Sequence, residues 1–84
     1  MRFNDLVSLP PHLLAASLQR GRRRVPVRIR HLHPGGLVIR SSADALAVHE
    51  RARLTIACPL ADTPCEITAR AVQRRGDLTW LALV

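Results

Sequence analysis

Arg20, Arg22, Arg23 and Arg24 stand almost in a row, Arg28 and Arg30 follow on alternate positions, and His31 and His33 lead into Pro34, Gly35 and Gly36. Guanidiniums at this density are anion chemistry. Each is permanently charged and presents a planar fork of donors that fits a phosphate, a carboxylate or the O6/N7 edge of guanine. The Pro-Gly-Gly turn adds backbone amides, and the two imidazoles accept or donate according to their protonation. A ligand site in this chain is therefore expected at Arg20, Arg22, Arg23, Arg24, His31, His33, Gly35 and Gly36. Other chemistry is thin. The serines and acids are scattered, with no Ser/His/Asp order that would make a nucleophile. His31 and His33, at i and i+2 on one strand face, lack a third metal ligand nearby in sequence. No catalytic residue, metal or cofactor is expected.

The elements that must position these residues can be read from periodicity. Val25, Val27 and Ile29 alternate with Pro26, Arg28 and Arg30, the period of a half-buried strand whose charged face meets solvent or an anion. Arg20 to Arg24 reads as a turn or mobile segment before it, because Gly21 breaks a helix arriving from upstream. The His31–Gly36 turn closes the strand and Leu37 to Arg40 opens the next. Arg53 to Cys58, Cys65 to Gln73 and Leu78 to Val84 read as further strands, with a bulge or double-sided burial hinted at by adjacent Ala71 and Val72. Leu37, Ile39, Leu54, Ile56, Ile67, Ala69, Trp80 and Ala82 are expected to face the core. Upstream, His12 to Arg20 reads as a short helix with Leu14 and Leu18 on one face, entered near Pro10 or Pro11 with Ser8 as its cap and stopped by Gly21. Such a helix is too short to stand alone, so its leucines need cover from the barrel or a second chain. Residues 41 to 48 read as a connection able to hold a helical turn.

Composition bounds the answer. A chain of 84 residues makes one domain near the size at which a single core only just sustains a fold. Thirteen basic residues, all arginine, against six acids give a net charge of +7 and favour anionic partners. Trp80 and Phe3 are the only aromatic side chains besides the histidines, and Trp80 is expected in the core. That argues against a barrel that stacks RNA bases, while leaving non-specific nucleic-acid binding open through charge alone. Cys58 and Cys65 bracket a loop holding Pro59 and Pro64, show no metal spacing, and read as free, half-buried thiols of a cytosolic protein. No apolar run reaches the ~20 residues of a membrane span.

Arg20-Gly21-Arg22-Arg23-Arg24 satisfies the R-x-x-x-R element that opens PilZ domains, and His31 to Ser41, HLHPGGLVIRS, resembles their second motif, [DN]-x-S-x-x-G followed by an apolar strand. Gly36 matches the glycine of that motif; His31 and His33 stand where the family has its acidic or amide residue and its serine. The resemblance covers roughly Arg20 to Val84. It implies a mainly β chain: a small antiparallel PilZ-like β-barrel over residues 20–84, preceded by an N-terminal extension over 1–19 with a short helix. Only seven residues follow Arg24 up to and including His31, where the family places a complete strand and a hairpin, so one barrel strand is expected to be missing or supplied from elsewhere. What the resemblance implies for function is a non-enzymatic signalling module of a bacterial cytoplasm, meeting cyclic di-GMP, a protein partner, or both, in motility, biofilm or secretion control. In it the arginines would clamp phosphates and guanine edges while the histidine-glycine turn closes from the other side. Two alternatives stand beside it: a PilZ-like adaptor that binds no nucleotide and works through protein contacts, with the His12–Arg20 helix as a possible homodimer contact, and a small basic nucleic-acid-binding barrel.

Overall fold

The computed structural model describes residues 2–41 and 46–84. Six antiparallel strands close into a barrel: β1 (Ala15–Arg20), β2 (Arg23–His33), β3 (Gly36–Arg40), β4 (Arg51–Ala57), β5 (Cys65–Arg75) and β6 (Leu78–Leu83), in the spatial order β1-β2-β3-β6-β5-β4 and back to β1. Closure matters for so small a chain, because it removes the unpaired edges along which strands of different molecules would join. All five strands expected from the sequence are present, as β2 to β6, with ends shifted by a few residues. The connection at residues 41–48 includes positions 42–45, which lie outside the described residues.

β2 and β5, at 11 residues each, are nearly twice as long as their neighbours and serve two sheets. The first halves of both join β1 and β4, through pairs such as Leu18↔Val25, Leu18↔Leu54 and Leu54↔Ile67. Their second halves join β3 and β6, through Ile29↔Ile39, Leu37↔Leu81 and Ala71↔Leu81. Each long strand carries an irregularity, between Ile29 and His31 in β2 and between Ala71 and Gln73 in β5. An extra residue bends a strand and tightens its twist, which is how one strand turns a barrel corner. The Ala71-Val72 pair is that signal in the sequence, and Val72 stands 49 % exposed.

β1 corrects the sequence reading. The segment from Ala15 to Arg20, expected to be the body of a helix over His12–Arg20, is a barrel strand, and it supplies the stave that seemed to be missing. The spacing of Leu14 and Leu18 explains the error: positions four apart share a face on a helix and also on a strand, where every second residue returns to the same side. Ala16 and Leu18 point inward and Leu14 packs against the core, so the barrel itself covers these two leucines, while Leu13 stays 44 % exposed. The barrel thus includes residues that a division after position 19 sets apart. What helix there is lies earlier, as α1 (Phe3–Leu6), followed by a 3-10 turn at Pro11–Leu13. Ser8 caps nothing there; its hydroxyl donates to the Asp5 carbonyl at 3.4 Å. Phe3 and Leu6 are buried in the same cluster as the strand residues, so α1 adds apolar area to the core.

The core is otherwise that of the strand alternation, with Leu37, Ile39, Leu54, Ile56 and Ala69 all buried and Ile67 partly so. β6 runs in the opposite phase to the one expected. Thr79 and Leu81 are buried while Trp80 and Ala82 lie on the outer face, half-buried. Leu-Thr-Trp-Leu-Ala-Leu is apolar at nearly every position, so its alternation is compatible with either phase; pairing with β3 decides it, since Leu37↔Leu81 and Ile39↔Thr79 place the inward residues side by side.

Candidate functional site: a basic hairpin and a histidine-glycine turn

The arginine run is the hairpin between β1 and β2. Gly21 takes a positive φ of 60° at the turn, a conformation open to glycine at no steric cost. Arg20 pairs with Arg23 and Gln19 with Arg24 across the ladder, so the four guanidiniums share one tip. Like charges opposite one another repel, and the fold answers locally. Arg20 Nη1 donates to Glu50 Oε2 at 2.6 Å, with both side chains partly shielded, so this guanidinium is engaged within the chain. Arg22, Arg23 and Arg24 remain exposed.

Beside the tip, on the outer face of β1 and β4, lies a shallow groove of about 350 Å³ lined by Gln19, Arg24, Arg53, Thr55 and Glu66. Gln19 pairs with Arg24 on one side and Arg53 on the other, so the two guanidiniums flank one amide. Gln19 Nε2 is itself fixed, donating to the Gly21 carbonyl at 2.6 Å. Arg53 sits 3.6 Å from Glu66, an exposed pair worth little. The reading from the sequence missed Arg53; the signal was the alternation Arg51-Ala52-Arg53-Leu54, which puts both arginines on the outside of β4.

His31, His33, Gly35 and Gly36 gather at the opposite end of β2. At about 3.3 Å per residue, an 11-residue strand spans on the order of 30 Å, and the longest dimension of the molecule is 31 Å. The structure therefore brings together the arginines with one another and the histidine-glycine residues with one another, but does not bring the two groups to one site. The turn is also closed on itself. The Gly35 carbonyl accepts the Leu83 amide at 2.8 Å, and His33 Nδ1 lies 3.3 Å from the Pro34 carbonyl. A Cβ at Gly36 would run into the Leu81 carbonyl oxygen and the His33 ring. The glycine is thus required by the close approach of β3 to β6, whatever the turn binds.

Cys58 and Cys65 are both free and both buried, more deeply than the half-buried thiols expected. Burial pushes the Cys65 thiol up from its ordinary range, with the Asp5 carboxylate adding to the effect. Among the described residues no three His, Cys, Asp or Glu side chains converge in a way that would hold a metal, and no helix is long and apolar enough to cross a membrane.

Fold and surface together define a closed, six-stranded antiparallel barrel with basic groups at a hairpin tip and on its outer faces. Compared with protein-family models, with curated proteins and with solved structures, the chain matches none.

Proposed function

We propose that this chain is a non-enzymatic, PilZ-like signalling barrel of a bacterial cytoplasm that works as an adaptor through protein contacts, without a composite cyclic di-GMP site. One observation carries the reading: the arginine half and the histidine-glycine half of the motif pair lie at opposite ends of β2. A ligand clamped by phosphate contacts at Arg23 and Arg24 would not reach the turn at His33. Two further features point the same way. Arg20 is held by Glu50, and the Gly35 carbonyl of the turn accepts the Leu83 amide. The barrel closure and the glycine at the β2–β3 turn are the features that agree with the PilZ resemblance.

Isothermal titration of the full chain with cyclic di-GMP at fixed salt tests the proposal. The expected result is no saturable binding, and no change on replacing His31 with Asp and His33 with Ser together. Tight binding that is lost both in Arg24→Ala and in His31→Ala would overturn it. Duplex DNA and RNA in the same buffer should bind only weakly and with a steep loss as salt rises, as charge alone dictates.

A further inference from the structure

The outer face of the sheet formed by β3, β6 and the second halves of β2 and β5 carries an apolar strip that the core does not use. Along β6, Leu78, Trp80 and Ala82 all point outward and are half-buried. Their partners on β3 are Arg40, Val38 and Gly36. Val38 is 4 % exposed although it does not belong to the core cluster, because its register neighbours on this outer face are His31 on one side and Trp80 on the other. The bulged Val72, 49 % exposed, lies next to Gln73, the partner of Trp80 on the remaining strand.

Arginines frame this strip on both flanks. One row across the sheet runs Arg28, Arg40, Leu78, Arg75, and another runs His33, Gly36, Ala82, Arg70. Arg40 is tied to Asp77 at 3.0 Å; Arg28, Arg70 and Arg75 form no ion pair among the described residues. No acid stands in either row. An apolar strip bordered by unpaired guanidiniums is complementary to a segment that is apolar on one side and acidic along its margins.

We propose that this face is the docking surface of the adaptor, and that its occupant is an acidic amphipathic segment of a partner protein, with apolar side chains seated on Leu78, Trp80 and Ala82 and carboxylates meeting Arg28, Arg70 and Arg75. The proposal rests on the adaptor reading and names its partner chemistry. A second copy of the chain is disfavoured as occupant, because two such faces would bring like charges together in a molecule of net charge +7. A single-stranded nucleic acid is disfavoured because base stacking uses successive large aromatic platforms, whereas this face has one indole with two imidazoles on β2.

Trp80 is the only tryptophan of the chain, so its fluorescence reports on this face alone. The full chain is titrated with a short synthetic peptide alternating glutamate and leucine, with a glutamate-serine counterpart, and with oligothymidylate. The expected result is a saturable shift in Trp80 emission with the glutamate-leucine peptide, weakened about tenfold by Arg70→Glu or Arg75→Glu, and weaker binding of the glutamate-serine peptide. Unchanged melting curves establish that these exposed replacements leave the fold intact, and Arg28→Glu stands in for either that does not. An unmoved emission, equal affinity for the glutamate-serine peptide, or an oligothymidylate response with the same arginine dependence would each overturn the proposal. Cyclic di-GMP titration decides the adaptor reading separately, since it does not depend on whether Trp80 responds.

Discussion

The outer face of the β1/β4 sheet and that of the β3/β6 sheet share the two long strands, yet they are finished differently. Around β1 and β4 the outward residues are mainly polar, Ser17, Gln19, Arg51, Arg53, Thr55 and Glu66, with only the small Ala15 and Ala57 apolar among them, and the inward ones are Ala16, Leu18, Leu54 and Ile56. Around β3 and β6 the central pair is apolar on both sides, with Leu37, Ile39 and Leu81 inside and Val38 and Trp80 outside. A sheet that only has to fold needs one apolar face. The second apolar face has no role in the core, and that difference singles out the β3/β6 side for contact.

The largest test of this comparison removes a whole stave. Deleting residues 1–19 takes away α1, with Phe3 and Leu6, and nearly all of β1, with Ala16 and Leu18. If β1 were a peripheral helix the remaining barrel would melt at a lower temperature; because it closes the β1/β4 sheet, the expected outcome is loss of cooperative unfolding altogether, read by circular dichroism. A cooperative transition in the truncated chain would return β1 to the periphery.

Next in size is Gly36→Ala, which sharpens the comparison from the other sheet. The new methyl group meets backbone, the Leu81 carbonyl oxygen, as well as the His33 ring, so relief requires β3 and β6 to part. A loss of about 1–3 kcal/mol is expected from overpacking of this kind, measured by denaturant titration. Gly21→Ala has open space around the added methyl group and costs through its positive φ alone, about 1–2 kcal/mol.

A smaller effect of opposite sign tests the phase of β6. Thr79 is fully buried and its hydroxyl finds no partner among the described residues, which costs on the order of 1–3 kcal/mol for a desolvated polar group. Thr79→Val keeps the shape and removes that group, and should raise stability by about 1 kcal/mol. Trp80→Val on the outer face should leave the core unaltered and instead weaken binding of the glutamate-leucine peptide, read by calorimetry because the variant has no indole to report. If Thr79→Val were destabilising and Trp80→Val behaved as a core truncation, the strand would be in the phase first expected from the sequence.

That phase shows where the sequence was legible. Arg51-Ala-Arg-Leu-Thr-Ile-Ala alternates cleanly, so β4 and its inward face follow from periodicity, as do Val27 and Ile29 in β2. β6 offers no polar residue large enough to mark the outside, and its face is set by long-range pairing that a linear pattern does not contain. β1 failed for a related reason: alanines and leucines four apart satisfy helix and strand alike. The candidate site was legible as chemistry but not as geometry. The arginine run and the histidine-glycine turn are close in the chain, and the length of β2, an 11-residue strand that has one group at each end, is what holds them apart.

The smallest effect compares the two cysteines at the end of the β4/β5 hairpin, and the composition makes it measurable. The chain has neither lysine nor tyrosine, so a buried thiol such as Cys65 stands out among the side chains in the alkaline range. Burial holds the Cys65 thiol above its ordinary value in the folded state. The unfolded chain therefore releases that proton first as pH rises. Where the unfolded state binds fewer protons than the folded one, stability falls with increasing pH. The contribution is fully present below the unfolded thiol pKa and is lost as pH climbs through the folded value. Cys65→Ala should thus flatten the decline in unfolding free energy above pH 8, whatever it costs at neutral pH through the atom removed. Alkylation by iodoacetamide at pH 8 should likewise be slower at Cys65 in the folded chain than in urea. A decline of equal slope in Cys65→Ala would remove Cys65 as its source, and would mean that the start of β5 is wetter than the packing of Cys65 implies.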